Sequence, residues 1–188
     1  MSNLCPSNPN EVEASMAEPD KQIEAMFRIV IQADIQRVWR ELTKTDEAQG
    51  AVFNAWLHTS GLIPGGRLQM RTGSGKHVLV VGEVVEFDPP HRFVHTHRFT
   101  QHDDPVCRVA YELKEVPGGV EVTLRVFDLP LGTATAKSMR SGGDMILKSL
   151  KAIAETGRPP FLTRLMYAAF DRLEFVLPKR TRSEHWPL

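Results

Sequence analysis

The chain has 188 residues, with 23 Lys and Arg against 23 Asp and Glu, so its formal net charge is zero. This balance argues against partners recognised by overall charge, such as nucleic acid or an anionic membrane. The length predicts one domain with short appendages, large enough to fold without a disulfide or a metal. No apolar run approaches the roughly 20 residues that span a bilayer, and no secretory signal begins the chain, so a cytoplasmic location is expected.

The start of the chain predicts a disordered leader. Residues 1–21 are rich in Asn, Ser, Pro and Glu, show no periodicity, and carry too little apolar surface to offset the entropy lost on ordering. Cys5 lies in this leader and Cys107 in a later apolar strand. Both are therefore expected to be free thiols in a reducing compartment.

Residues 22–157 predict an α+β domain. A strand over 23–32 precedes a helix that Asp34 can cap, and a second short helix is expected over 43–50. Strands with short turns follow, which predicts an antiparallel meander. They are expected at 52–62, 67–72, 76–87, 91–100, 106–115 and 120–127.

A long helix is predicted to cover the dry face of this sheet. Its apolar stripe runs through 144–155 and it ends at Gly157, a favourable left-handed C-terminal residue. The stretch 133–140 extends the helix backwards, but Gly142-Gly143 predicts a kink or a break between the two parts.

The tail, defined as residues 158–188, predicts an amphipathic helix followed by a short basic segment. Phe161, Leu165 and Phe170 fall at helical spacing, and the basic run 179–182 is too short to indicate nucleic-acid binding. The apolar stripe is expected to dock on its own domain or across a homodimer. An exposed stripe would instead indicate a partner or a membrane surface.

The segment 91–100 alternates strictly, so Phe93, His95, His97 and Phe99 share one strand face. Two histidines at this spacing lie about 6 to 7 Å apart along a strand. Three interpretations fit: hydrogen-bonding groups in a cavity, a general acid or base, or two ligands of a metal. A third metal ligand would come from another residue, and no spacing in the sequence demands one; the candidates are His58, His77 and Tyr111.

Four segments in this order resemble the SRPBCC (START-like) superfamily, in the branch named after the activator of the 90-kDa heat-shock protein ATPase. They are ADIQRVWRELT at 33–43, IPGGR at 63–67, GEVVEFDPPHR at 82–92 and ILKSLKAIAETG at 146–157. The resemblance covers roughly residues 22–157. It implies the helix-grip fold, in which a curved antiparallel sheet wraps around a long C-terminal helix, with two short helices after the first strand.

The resemblance also implies a cavity that often holds an apolar or amphipathic small molecule, but it does not imply one activity. Members include lipid carriers, hormone binders, cyclases and chaperone partners. Many carry Gly-Trp at the start of the long helix, whereas here Gly143 stands where the tryptophan would be. Loss of that ring would enlarge the cavity or leave space that the tail fills.

We therefore predict a protein that binds an apolar or amphipathic small molecule, with no catalytic residue, metal or cofactor assigned. Aromatic and methionine side chains would supply apolar contact, and histidine and tyrosine would orient the ligand. The predicted ligand-binding residues are Trp56, His58, Met70, His95, His97, Tyr111 and Met145. Two alternatives stay open: a cyclase or hydrolase that uses the cavity histidines and Tyr111, and a protein-interaction module that acts as a chaperone cofactor.

Overall fold

The computed structural model describes residues 23–188, so the leader predicted over 1–21 and Cys5 lie outside the described residues. Eight antiparallel strands form one curled sheet in the order β1-β8-β7-β6-β5-β4-β3-β2. The elements are β1 (Ile23–Ile31), α1 (Ile35–Thr43), β2 (Ala48–Gln49), β3 (Ala55–Thr59), β4 (Arg67–Arg71), β5 (Val78–Asp88), β6 (Arg92–Phe99), β7 (Cys107–Val116), β8 (Gly119–Phe127), α2 (Ala134–Thr156) and α3 (Phe161–Arg172). Three 3₁₀ turns follow: Glu174–Val176, Lys179–Thr181 and Ser183–His185.

The α+β helix-grip fold predicted from the sequence is confirmed, with α2 packed against the curled sheet. The Asp34 side chain accepts a hydrogen bond from the Arg37 amide at 2.8 Å and so starts α1. The buried face of α1 carries Ile35, Val38, Trp39 and Leu42. Within the part of the chain that the structure describes, no helix is long and apolar enough to cross a membrane.

The second short helix expected over 43–50 is absent, and this detail of the prediction was wrong. The chain leaves α1 at Lys44, which has an extended backbone, and forms the two-residue strand β2 instead. The buried Gln49 side chain donates its amide to the carbonyl oxygens of Leu42 and Lys44, at 3.0 and 3.2 Å. These bonds satisfy carbonyls at the helix end, so the turn is stable without a second helix.

Helix α2 runs unbroken from Ala134 to Thr156, so the kink or break expected at Gly142-Gly143 does not occur. A Cβ at Gly143 would lie only 2.3 to 2.6 Å from ring atoms of Phe27 on β1. Glycine is therefore required here for close packing of helix on sheet. The Phe27 ring occupies space beside Gly143, where either an enlarged cavity or the tail was expected from the sequence.

The register of β6 sets the direction of its side chains. Phe93 lies opposite Tyr111, and His95 lies opposite Val109 on β7. His97 lies opposite Cys107. All six of these residues are buried, so the face of β6 that carries the two histidines looks into the fold.

Candidate functional site

A cavity of about 420 Å³ lies between the inner face of the sheet, α2 and the tail. Most of its lining is apolar, with Met70 and Val80 from the sheet and Met139 and Ile146 from α2. The volume falls within the roughly 300 to 1,000 Å³ typical of small-molecule sites. His95, His97 and Tyr111 are the polar groups that the sheet places against this apolar lining.

His95 is held in one tautomer by its own strand. The side chain is only 1% exposed, and its Nδ1 lies 2.9 Å from the Thr96 carbonyl oxygen. A carbonyl oxygen can only accept, so Nδ1 carries the proton and donates. Burial lowers the pKa of His95 to about 4, which keeps the ring neutral at pH 7. Its Nε2 therefore presents a lone pair.

His97 is buried without a polar partner in the described part of the chain. The ring is 7% exposed, and neither Nδ1 nor Nε2 has a hydrogen-bond partner among residues 23–188. Burial, with a smaller effect from His95, lowers the pKa of His97 to about 3. The two imidazole rings lie 5.9 Å apart between centroids. An unpaired buried polar group is costly, and at His97 such a group lies against the cavity.

Tyr111 lies on β7 beside the histidines, with its ring 6.4 Å from that of His95. Burial alone raises the pKa of its phenol well above the ordinary value, so the hydroxyl stays protonated. No other described residue offsets this shift through a hydrogen bond or a charge. Tyr111 thus adds a hydroxyl donor to a cavity that already holds a fixed acceptor.

The structure brings together four of the seven predicted ligand-binding residues: Met70, His95, His97 and Tyr111 all line the cavity. The other three, Trp56, His58 and Met145, do not line it. Trp56 lies opposite Arg71 in the pairing of β3 with β4, and His58 lies opposite Gln69, on the face away from the inward Leu57 and Met70.

On helix α2, too, a predicted ligand-binding residue lies on the face turned away from the cavity. Met145 is half-buried beside the lining residue Ile146 but turns away from the cavity. For both β3 and α2, the spacing of the residues predicted which of them share a face but not which face looks inward.

The contribution of the tail to the lining was not predicted from the sequence. Phe170 of α3 lies at the cavity, together with Leu173 and Leu177 of the segment after it. The helical spacing of Phe170 with Phe161 and Leu165 predicted a docking face, but it carried no information on the surface to which that face docks.

Polar contacts hold the tail over the mouth of the cavity. The Glu174 carboxylate accepts hydrogen bonds from the hydroxyls of Thr72 and Ser74, the latter at 2.6 Å. The Thr181 hydroxyl lies 2.7 Å from Nδ1 of His77. Gln69 donates its side-chain amide to the Trp186 carbonyl oxygen at 2.9 Å. The tail is thus fixed to the turn between β4 and β5 and to the outer face of β4.

Two of the candidate third metal ligands are placed away from the histidine pair. His58 is exposed on the outer face, and His77 bonds to Thr181. Among residues 23–188, no group of three or more His, Cys, Asp or Glu side chains is arranged to hold a metal ion. The buried Cys107 has its pKa raised to about 11 by burial, so its thiol is a poor nucleophile at neutral pH.

The curled sheet, the long helix and the cavity between them define a helix-grip protein of the SRPBCC superfamily. The sequence model of one family within this superfamily matches residues 22–155, and that family is described as "Activator of Hsp90 ATPase homolog 1-like protein". The match covers more than half of the chain, so the chain belongs to this family. The tail lies outside the matched region.

Solved structures support the fold. The Aha1 dimer from Colwellia psychrerythraea is 19% identical, with a TM-score of 0.56, over 70% of this chain and 96% of that one. CalU16 from Micromonospora echinospora is 18% identical, with a TM-score of 0.53, over 81% of this chain and 86% of that one. DynU16, from the dynemicin biosynthetic locus, is 20% identical, with a TM-score of 0.58, over 71% of this chain but only 48% of that one. No curated protein matches the chain significantly.

Proposed function

We propose that this protein binds a small, largely apolar molecule in the cavity between the sheet and α2. The observation that carries the proposal is the buried His97 ring, whose two nitrogens lack partners in the described chain, beside a cavity of about 420 Å³. Both His97 nitrogens are covered by neighbouring atoms, so a bound molecule with polar groups would supply the missing hydrogen bonds after a turn of the ring. The apolar lining would supply the contact area.

The protonation states favour binding over acid–base chemistry. A good general acid or base has a pKa near the working pH, whereas burial moves His95 and His97 to about 4 and 3. Tyr111 is shifted in the opposite direction, away from neutrality. These groups suit orientation of a ligand at pH 7. The enzymatic and chaperone-cofactor alternatives stay predictions, and a His95→Ala variant that lost turnover but kept ligand binding would favour the former.

The test uses N-phenyl-1-naphthylamine, an apolar fluorophore that brightens in a dry site. We expect saturable binding to the wild-type protein and loss of binding in Gly142→Leu. Gly142 lines the cavity, and a Cβ added there meets nothing within 4 Å, so the larger side chain would fill the cavity without a clash at its base.

The matched control is Gly142→Ala, which makes the same change to the helix backbone but fills little of the cavity. We expect it to bind the fluorophore like the wild-type protein. Equal binding to the Leu variant, or no binding to the wild-type protein, would contradict the proposal.

We also propose that the outer face of the tail joins two copies of the chain. Several of its apolar side chains point to solvent, including Phe161 at 74%, Leu162 at 75% and Phe175 at 80% exposed. Such a cluster is typical of an interaction surface. A dimer is recorded for the Colwellia protein, a member of this fold, which supports a second copy as the occupant.

Native mass spectrometry tests this second proposal. We expect a species of twice the 21.1 kDa chain mass and its conversion to one chain in Leu162→Glu. Leu131→Glu is the control, because Leu131 is also exposed but lies outside the tail. A wild-type protein with the mass of one chain at micromolar concentration would overturn the proposal.

A further inference from the structure

We infer that the cavity selects an uncharged molecule whose apolar body carries a hydroxyl group, and that it rejects carboxylates. This inference rests on the proposed function and names the class of ligand. Its basis is the fixed hydrogen-bonding pattern of three side chains, His95, His97 and Tyr111, together with the charges around the cavity.

His95 requires a donor from the ligand. Its Nδ1 proton is already given to the Thr96 carbonyl oxygen, at 2.9 Å, so the free Nε2 of the neutral ring can only accept. The ring cannot turn over to offer a proton without losing that bond. An O–H group satisfies Nε2, whereas an ether or carboxylate oxygen would place one lone pair against another.

Tyr111 and His97 extend the pattern. The Tyr111 phenol stays protonated and lines the same cavity, so it can donate to a ligand oxygen. The neutral His97 ring has one donor nitrogen and one acceptor nitrogen, both without a partner in the described chain. A hydroxyl group both donates and accepts, so it suits this set of groups better than an ether, which only accepts.

The charges around the cavity exclude a carboxylate. Among the described residues that line the cavity there is no Lys or Arg, and the acidic side chains are Asp171 and Glu174. His102 is the other titratable side chain of this lining besides His95, His97 and Tyr111. A buried carboxylate needs a cation or several donors to offset its desolvation. Here it would meet the His95 lone pair inside and two negative charges at the entrance.

The test compares three ligands built on one ring system: 1-naphthol, 1-methoxynaphthalene and 1-naphthoate. Each is titrated against the full-length protein carrying N-phenyl-1-naphthylamine, and displacement of the fluorophore gives its affinity. We expect 1-naphthol to bind about tenfold more tightly than 1-methoxynaphthalene, the effect of one hydrogen bond in a buried site. We expect 1-naphthoate to bind most weakly of the three.

Two variants assign the selectivity to His95. His95→Phe keeps a ring but removes the acceptor, so we expect it to bind the two neutral ligands equally. His58→Phe makes the same change on the outer face of the sheet, where the side chain is exposed, and should keep the wild-type preference. If His95→Phe does not fold, the wild-type ligand series still decides the question.

The outcomes distinguish a failure of the proposed function from a failure of the inference about the ligand class. If none of the three compounds nor the fluorophore binds, the proposed function itself fails. If the compounds bind but 1-naphthoate equals or exceeds 1-naphthol, or if the ether equals the alcohol, the cavity binds ligands and the inference about their class is overturned.

Discussion

The cavity has a floor and a roof that differ in nearly every physical respect. The floor, formed by His95 and His97 of β6 and Tyr111 of β7, is buried inside the family domain, and neither His97 nitrogen has a partner among residues 23–188. The roof, formed by residues 161–176, buries only Tyr167 of α3 and exposes most of its apolar side chains. It lies outside the region that matches the family.

This difference suggests a division of roles. A buried floor between neighbouring strands cannot move without disturbing the core, so it suits recognition of the ligand. A roof held by a small number of contacts opens at lower cost in free energy, so it suits control of access. The following predictions test each side of this contrast, from the largest expected effect to the smallest.

Acid should lower the folding stability of the protein through the two buried histidines of the floor. Burial lowers the pKa of both His95 and His97, so below their ordinary value of 6.5 the unfolded chain takes up protons that the folded chain does not. The free energy of unfolding is therefore at its full value above about pH 6.5 and falls as the pH drops toward 4. Each histidine contributes a slope of about 1 kcal/mol per pH unit.

Urea unfolding from pH 7 to pH 5 measures this slope. His97→Leu removes a buried group that has no partner in the described chain, so we expect a clearly shallower dependence on pH and little loss of stability at pH 7. The exposed His58→Leu corrects for the loss of one histidine. An unchanged slope in His97→Leu would show that the ring is already charged or hydrated in the folded protein.

A large ring introduced at position 143 should disrupt the packing of α2 on β1 beside the floor. Because a Cβ at Gly143 would lie 2.3 Å from the Phe27 ring, Gly143→Trp should lower the free energy of unfolding by about 3 kcal/mol. Phe27→Ala in the same chain should recover part of this loss, and Gly142→Ala is the neighbouring control. Thermal unfolding measures all three, and additive effects of the two substitutions would contradict the contact.

Substitutions in the roof should lower the free energy of unfolding less than those beside the floor. Tyr167 is its buried anchor, and its hydroxyl donates to the Gly50 carbonyl oxygen at 2.9 Å. Tyr167→Phe should cost about 1 kcal/mol, the usual net value of one hydrogen bond. Hydrogen exchange should speed up in residues 161–172 and stay unchanged in β6. Arg164→Gln, at an exposed position, is the control. Equal protection from hydrogen exchange in all three proteins would show that this bond does not stabilise α3.

The smallest effect is expected at the contact of Glu174 with the β4–β5 turn. Burial alone would raise the pKa of Glu174, but hydrogen bonds from Ser74 and Thr72 and the charges of His77 and Lys76 outweigh it and lower the pKa. The stabilisation is thus present above about pH 4.3 and is lost as the pH falls further. At this partly exposed site Glu174→Gln should cost less than about 0.5 kcal/mol.

A change in access is the more sensitive measurement of this contact. We expect N-phenyl-1-naphthylamine to associate a few times faster with Glu174→Gln than with the wild-type protein at pH 7. Glu184→Gln removes an exposed carboxylate of the same tail and should leave the rate unchanged. The same association rate in all three proteins would mean that this contact does not limit entry.

The candidate site was predictable where it depended on strand alternation alone. The alternation of the eight-residue β6 predicted its inward face because Phe93 and Phe99 lie on the same face as the two histidines, whereas the other face carries two arginines. The short β3 gave no such guide. Alternation grouped Trp56 with His58, but the inward residue is Leu57, paired with Met70.

Apart from the helix expected over 43–50, the sequence by itself determined the order of the elements, the Asp34 cap of α1, the end of α2 at Gly157 and the pair of histidines on one strand face. These features depend on neighbouring residues. Tertiary structure alone decided what depends on distant ones. Phe27 requires Gly143 to be glycine and lets α2 run unbroken, although 116 positions separate them in the chain. Likewise, only folding brings the tail over the cavity and leaves His97 without a partner in the described chain, because burial and pairing are properties of the packed chain.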